Sequence, residues 1–185
     1  MKQLFFTTAL CLFATVVSAH SSGIEKTDKP HYMKYAFWNP DLTMDERLDD
    51  LLSRLTLEEK VRQMVNGTPA IPRLGIPSYD WWNECLHGVA RTSYNTTSFP
   101  QAIGMAATWD VDAMFKMAQY ASDEGRAIFH DSKRNGSPGI FKGLTYWTPN
   151  INIFRDPRWG RGMETYGEDP YLTGEIGMAF VRGLQ

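Results

Sequence analysis

Cysteine is nearly absent from these 185 residues, which carry only Cys11 and Cys85. Cys11 lies inside an apolar N-terminal run that is expected to be removed. The mature chain would then keep one thiol and no internal disulfide, so stability must come from core burial. Charge of one sign is also lacking: 19 Lys and Arg face 21 Asp and Glu, a net charge of −2. That balance argues against nucleic acid or an anionic membrane surface as the main partner. The longest apolar run, "LFFTTALCLFATVV" at residues 4–17, is too short for a membrane span, which takes about 20 residues. The four histidines, at 20, 31, 87 and 130, are scattered without metal-ligand spacing, and neither metal nor cofactor is expected. No internal repeat or low-complexity tract is present.

What is present begins with Lys2, the apolar run and the small pair Ser18-Ala19. Together they read as a secretory signal over 1–19, cleaved after Ala19, so the protein is expected in the periplasm or the extracellular medium. Residues 20–40 form a polar lead without periodicity. Aromatic residues make up 13% of the chain, with six tryptophans. Flat rings cover the apolar faces of sugars, but they also fill cores, so composition alone decides nothing.

Helices are predicted over 43–55 and 56–65. Each opens with a capping box, Thr43 with Glu46 and Thr56 with Glu59. Leu48, Leu51, Leu52 and Leu55 share one stripe of the first, and Val61, Met64 and Val65 are expected to face inward on the second. Residues 71–90 read as a short strand running into a loop, and "TSFPQAIGMAATWD" at 97–110 as a second loop-like stretch. A long helix is predicted over 110–131, with Val111, Met114, Phe115, Ala118, Ser122 and Gly125 on one face. "LTYWTPNINIF" at 144–154 reads as a buried strand. A last helix starts near Pro170, a favoured first-turn position, and runs toward Leu184. Strands alternating with helices favour an α/β fold with parallel strands.

Two stretches follow predicted strands, where α/β barrels place their ligand-binding residues. In "WWNECLHG", Glu84 stands beside Trp81, Trp82 and Asn83. A carboxylate there can accept bonds from two neighbouring sugar hydroxyls while an indole covers the ring, or it can be an acid on a loop surface above core tryptophans. His87 is expected to bond loop backbone, and Cys85 to be a small packed residue. In "RDPRWGRGMETYGEDP" at 155–170, three arginines meet four acids. An internal network would pair Arg155 with Asp156 or Asp169, and Arg158 with Glu164 or Glu168. Arg161, between Gly160 and Gly162, is the arginine left to fork onto a ligand. The interleaved acids would repel phosphate, which sets nucleic acid aside.

"WWNECLHGVA", "TSFPQAIGMAATWD" and "TPNINIFRDPRWGRGMETYGEDPYLTG", in that order, resemble the N-terminal domain of glycoside hydrolase family 3 over about residues 35–185. The resemblance implies a (β/α)8 TIM-like barrel and retaining hydrolysis of a terminal β-linked sugar through an aspartate nucleophile and a separate acid/base. It places Glu84 and Arg161 in the subsite that holds the terminal sugar, with Trp82 beside them, and gives Glu164 a loop-supporting role. Glutamate at 84 resembles the β-xylosidase and arabinofuranosidase branch more than the β-glucosidases, and Cys85 stands where alanine is common.

The chain is thus expected in three parts: signal 1–19, lead 20–40 and, by the resemblance, 41–185 as the front of an incomplete barrel. The family's nucleophile and acid/base would lie beyond Gln185, so no catalytic residue is expected within the chain, and the piece alone is expected to be inactive. Its partners would be an oligosaccharide or glycoside and the remainder of its own chain. The alternative is a secreted, non-catalytic carbohydrate-binding protein with the same sugar pocket.

Overall fold

The computed structural model describes residues 30–136 and 138–185. The expected signal at 1–19 and the lead as far as 29 lie outside the described residues. The compact unit runs from His31 to Gln185.

Both predicted capping boxes form. α1 (Met44–Arg54) starts at Thr43, whose hydroxyl accepts from Glu46 N–H while the Glu46 carboxylate accepts from Thr43 N–H. α2 (Leu57–Arg62) repeats the device with Thr56 and Glu59. Each box satisfies two N–H groups that the first turn leaves without partners. Leu51 and Leu55 then pack on Phe37, Ile71 and Leu74. Trp38 Nε1–H donates to the Leu74 carbonyl (2.9 Å), and the Arg73 guanidinium bonds Glu59 and the Arg54 carbonyl.

The remaining apolar positions of these two helices do not face inward as their periodicity suggests. Leu48, Leu52, Val61, Met64 and Val65 are all exposed, Met64 at 84%. α2 ends at Arg62, so Met64 and Val65 lie beyond its last turn. Periodicity fixes which residues share a face, but whether another element covers that face is a tertiary matter.

The named sheet is a two-residue antiparallel ladder, β1 (Gly67–Thr68) against β2 (Tyr79–Asp80). Between them a 3-10 turn at Pro72–Leu74 ends on Gly75, whose φ of 71° suits a residue without Cβ. A Cβ there would also strike the Tyr32 ring.

The main core lies between two longer helices. α3 (Ala102–Ala106) is a short helix inside the stretch read as a loop, and it buries Ala102, Met105 and Ala106. α4 (Val111–Arg134) is capped by Asp110, which accepts from Ala113 N–H at 2.8 Å. α5 (Pro170–Leu184) is capped by Asp169, which accepts from Leu172 N–H at 2.7 Å, with Pro170 in the first turn. Met114, Met117 and Ala118 of α4 close on Ile176, Ala179 and Phe180 of α5, with Tyr166 beneath. The helices approach closely at Gly183, where a Cβ would stand 2.4 Å from the Phe115 carbonyl oxygen. Val111, expected on the buried face, is instead exposed at 38% beside the cap.

The predicted strand at 144–154 is extended but not laddered. Among the described residues its one bridge joins Tyr146 to Asn83, and that bridge is parallel. A strand exists only where a neighbour offers N–H and C=O groups in register. Among the described residues the backbone bonds of this segment are few: Trp147 N–H donates to the Asn83 carbonyl and Phe154 N–H to the Gly167 carbonyl.

Candidate functional site

Asn83, 1% exposed, fastens the two segments that carry the candidate residues. Its side-chain oxygen accepts from Gly143 N–H (2.7 Å), and its Nδ2 donates to the carbonyls of Asp80 and Thr145, both at 3.1 Å. Trp147 N–H donates to the Asn83 carbonyl at 3.0 Å, and Phe141 N–H to the Trp82 carbonyl at 3.1 Å. A buried amide with all these groups paired is costly to disturb, so the register is fixed. Gly143 belongs to the same joint: a Cβ would lie 2.6 Å from Asn83 Nδ2. Because the pairing is parallel, the chain leaves both segments at the same end. Glu84 follows Asn83 directly at that end.

Trp82 and Trp147, each next to the Asn83–Tyr146 pair in sequence, stack with ring centroids 5.1 Å apart and planes inclined by 16°. Trp147 Nε1–H donates to the Trp81 carbonyl at 2.9 Å, which holds the pair in place. Both indoles keep substantial exposure, 40% for Trp82 and 64% for Trp147. Glu84 sits beside them with both carboxylate oxygens engaged. Trp82 Nε1–H donates to one at 3.1 Å and Arg91 Nε–H to the other at 2.8 Å.

Sequence reasoning missed Arg91. It lies seven residues after Glu84, and its contact exists because Ala90 N–H donates to the Glu84 carbonyl (2.9 Å) and closes the intervening loop. Arg91 itself adopts φ of 60°, uncommon for a residue with a Cβ. No spacing rule announces such a loop.

The 155–170 loop pairs its charges differently from the expected network. Arg158 forks onto Asp156, not onto Glu164 or Glu168. Arg155 bonds the Asn152 side chain and the Ile153 carbonyl, not Asp156 or Asp169. Arg161, expected free of internal pairing, forks onto Glu164 through Nε–H at 2.9 Å and through Nη2. Local geometry explains each change. Asp156 and Arg158 share one turn, and Arg161 and Glu164 face each other across the 3-10 turn Gly162–Glu164. Pairs this close in sequence need little chain ordering to form.

Charge follows from these contacts. The Arg161 guanidinium beside Glu164 holds that carboxyl below its ordinary range. Arg161 is raised in turn, first by Glu164 and, more weakly, by the charge of Glu84. Glu84 and Arg161 therefore lie within each other's field. The Arg161 side chain is 70% exposed and that of Glu84 32%, so the cluster forms an open face. An apolar cavity of about 360 Å³ lined by Phe99, Met105, Met114 and Tyr120 includes none of these residues.

Two neighbours have bland roles. His87 Nδ1 bonds the Phe99 carbonyl at 2.8 Å, as loop backbone requires. Cys85 is fully buried, and desolvation pushes its thiol up to about 12, so it is a packed residue and no nucleophile.

Residues 45–185 match the model of the glycosyl hydrolase family 3 N-terminal domain. The chain belongs to glycosyl hydrolase family 3. That domain is TIM-barrel-like, which accounts for the parallel Asn83–Tyr146 pairing in a structure otherwise rich in helix. The family chain is 47% identical to a xylan 1,4-β-xylosidase of Xylanibacter ruminicola, covering 99% of this chain and 20% of that protein. It is 45% identical to the probable β-D-xylosidase 7 of Arabidopsis thaliana, over 100% of this chain and 24% of that one. A solved GH3 exo-β-xylosidase, in complex with a xylobiose aziridine probe, superposes with a TM-score of 0.70 at 31% identity, over 85% of this chain and 20% of that one. The chain thus spans about a fifth to a quarter of the length of these relatives. Among the described residues, no helix is long and apolar enough to cross a membrane.

Proposed function

We propose that residues 41–185 are the front of the barrel of an exported exo-glycosidase that removes terminal β-linked xylose or glucose, with xylose favoured by the relatives. The signal would be residues 1–19, with delivery to the periplasm or extracellular medium. The nucleophile and acid/base would be supplied outside these residues, as the family resemblance implies.

One observation supports this reading: the Glu84 carboxylate stands beside the stacked Trp82–Trp147 pair, and its charge reaches the Arg161 guanidinium. The Glu84 carboxylate has each oxygen already held by one donor, so its plane is set and its remaining lone pairs can accept from adjacent sugar hydroxyls. The Arg161 fork is held by Glu164 and keeps free N–H groups for other hydroxyls. Trp82 offers its indole face to the ring. Such bonds to hydroxyls strengthen as the ring flattens toward the oxocarbenium-like transition state, so they assist a retaining double displacement without touching the bond that breaks.

The test is Arg161→Ala in the full-length enzyme, assayed on aryl β-D-xyloside and aryl β-D-glucoside. Loss of charge-assisted bonds that tighten at the transition state should lower kcat/KM by about a hundredfold. Unchanged kcat/KM on both substrates would remove Arg161 from the site.

A further inference from the structure

We infer that Arg91 is a positioning residue for Glu84, fixing the carboxylate in the orientation that receives the sugar. The inference rests on the site reading above and extends it to a residue outside the three recognised motifs. Three features of the structure point to it.

The first is the contact. Arg91 Nε–H donates to Glu84 Oε2 at 2.8 Å while Trp82 Nε1–H donates to Oε1 at 3.1 Å, so two donors on two oxygens define the carboxylate plane. One donor alone would leave the group free to rotate about its terminal torsion, which is broad for glutamate. Both donors are held by other contacts: Trp82 stacks on Trp147, and the Arg91 guanidinium lies 5.9 Å from the centroid of the Phe141 ring.

The second is the backbone. Arg91 takes φ of 60° immediately after the closure of the 84–90 loop by the Ala90–Glu84 bond. Left-handed backbone at a bulky residue is unfavourable and persists where surrounding contacts demand it. Here the turn returns the arginine side chain to the acid at the start of the loop.

The third is the division of charge. Arg161, the other guanidinium of the cluster, is occupied by Glu164, so each acid has its own arginine. Arg91 therefore serves Glu84 and leaves Arg161 its free N–H groups.

A positioning residue acts through its partner, and a double-mutant cycle reads that. In the full-length enzyme, Arg91→Ala should lower kcat/KM for aryl β-D-xyloside by about tenfold to a hundredfold, the loss of one hydrogen bond to a charged group. The loss should appear chiefly in kcat, because the misaligned carboxylate still binds substrate. In the Glu84→Gln background the same change should have little further effect. Added guanidinium ion should restore part of the Arg91→Ala activity and none of that of Glu84→Gln. Arg91→Lys, which keeps charge but not the Nε–H donor, should fall between Arg91→Ala and the parent.

Full activity in Arg91→Ala beside a damaged Glu84→Gln would overturn the role of Arg91 and leave the site reading standing. Additive losses without guanidinium rescue would do the same by showing a purely structural role. Full activity in Glu84→Gln would overturn both. Should Arg91→Ala fail to fold, Arg91→Lys and Arg91→Gln carry the cycle.

Discussion

The α4–α5 contact at Gly183 sets two physical effects against each other and so makes a sharp test. Alanine is the better helix former by about 1 kcal/mol, so propensity alone predicts that Gly183→Ala stabilises the protein. The added Cβ, however, would sit 2.4 Å from the Phe115 carbonyl oxygen and 2.8 Å from Ala118 Cβ. Favourable carbon contacts begin near 3.5 Å, so α5 must move off α4 by about 1 Å. Overpacking of that kind costs about 1–3 kcal/mol, and the separation also loosens the Phe180 and Ala118 contacts. The net expectation is a loss of about 1–2 kcal/mol, or a Tm lower by roughly 2–8 °C. Gly174→Ala in the same helix is the internal control. Nothing lies within 4 Å of a Cβ there, so only propensity acts, and a gain of about 0.5–1 kcal/mol is expected. Urea denaturation of both variants with the parent protein gives the comparison. If Gly183→Ala proves as stable as the parent while Gly174→Ala gains, the tight crossing is not a feature of the folded protein.

Phe180→Ala, at a fully buried position of the same core, should cost about 3–5 kcal/mol in urea denaturation. A loss below 1 kcal/mol would show that the core is not closed there. Glu59 gives a pH prediction. The Arg73 guanidinium, with the Thr56 backbone N–H, holds its carboxyl down to about 2 from an ordinary value of 4.5. A depressed carboxylate contributes stability that is present above 4.5 and lost as pH falls toward 2, so Glu59→Gln should flatten the acid limb of stability in that window. Parallel limbs in the two proteins would remove Glu59 from the acid response. Arg161→Ala and the Arg91 cycle test the site by activity.

Much of the scaffold was legible in the residues because its signals are local. Thr43 with Glu46 and Thr56 with Glu59 each form within one helical turn, and Pro170 marks the start of α5, where the structure adds the Asp169 cap. The apolar face of α4 was legible for the same reason, apart from Val111 at its exposed end. The three motifs named the family, since long strings of mixed residues in fixed order do not recur by chance. Glu84, Arg161 and Trp82 were picked out by residue type, by position after predicted strands and by the family resemblance; in the structure Trp82 bonds Glu84, and the charge of Glu84 reaches Arg161.

The rest needed three dimensions. Leu48, Leu52 and Val61 read as core because amphipathic spacing says nothing about cover, and no described element covers them. The 144–154 segment read as a strand because propensity says nothing about a neighbour in register, and the neighbour extends only to Asn83. The partners of Arg155, Arg158 and Arg161 were misassigned because a loop with three arginines and four acids permits many neutral pairings of similar energy. Turn geometry chooses among them. Arg91 was invisible because its contact depends on a closed loop and a left-handed backbone, neither of which any spacing encodes. By itself the sequence determined where α1, α2, α4 and α5 begin, what family the chain joins and which residue types could meet a sugar. Only the tertiary structure decided which faces are covered and which charge each arginine meets, because both depend on distances between segments far apart along the chain.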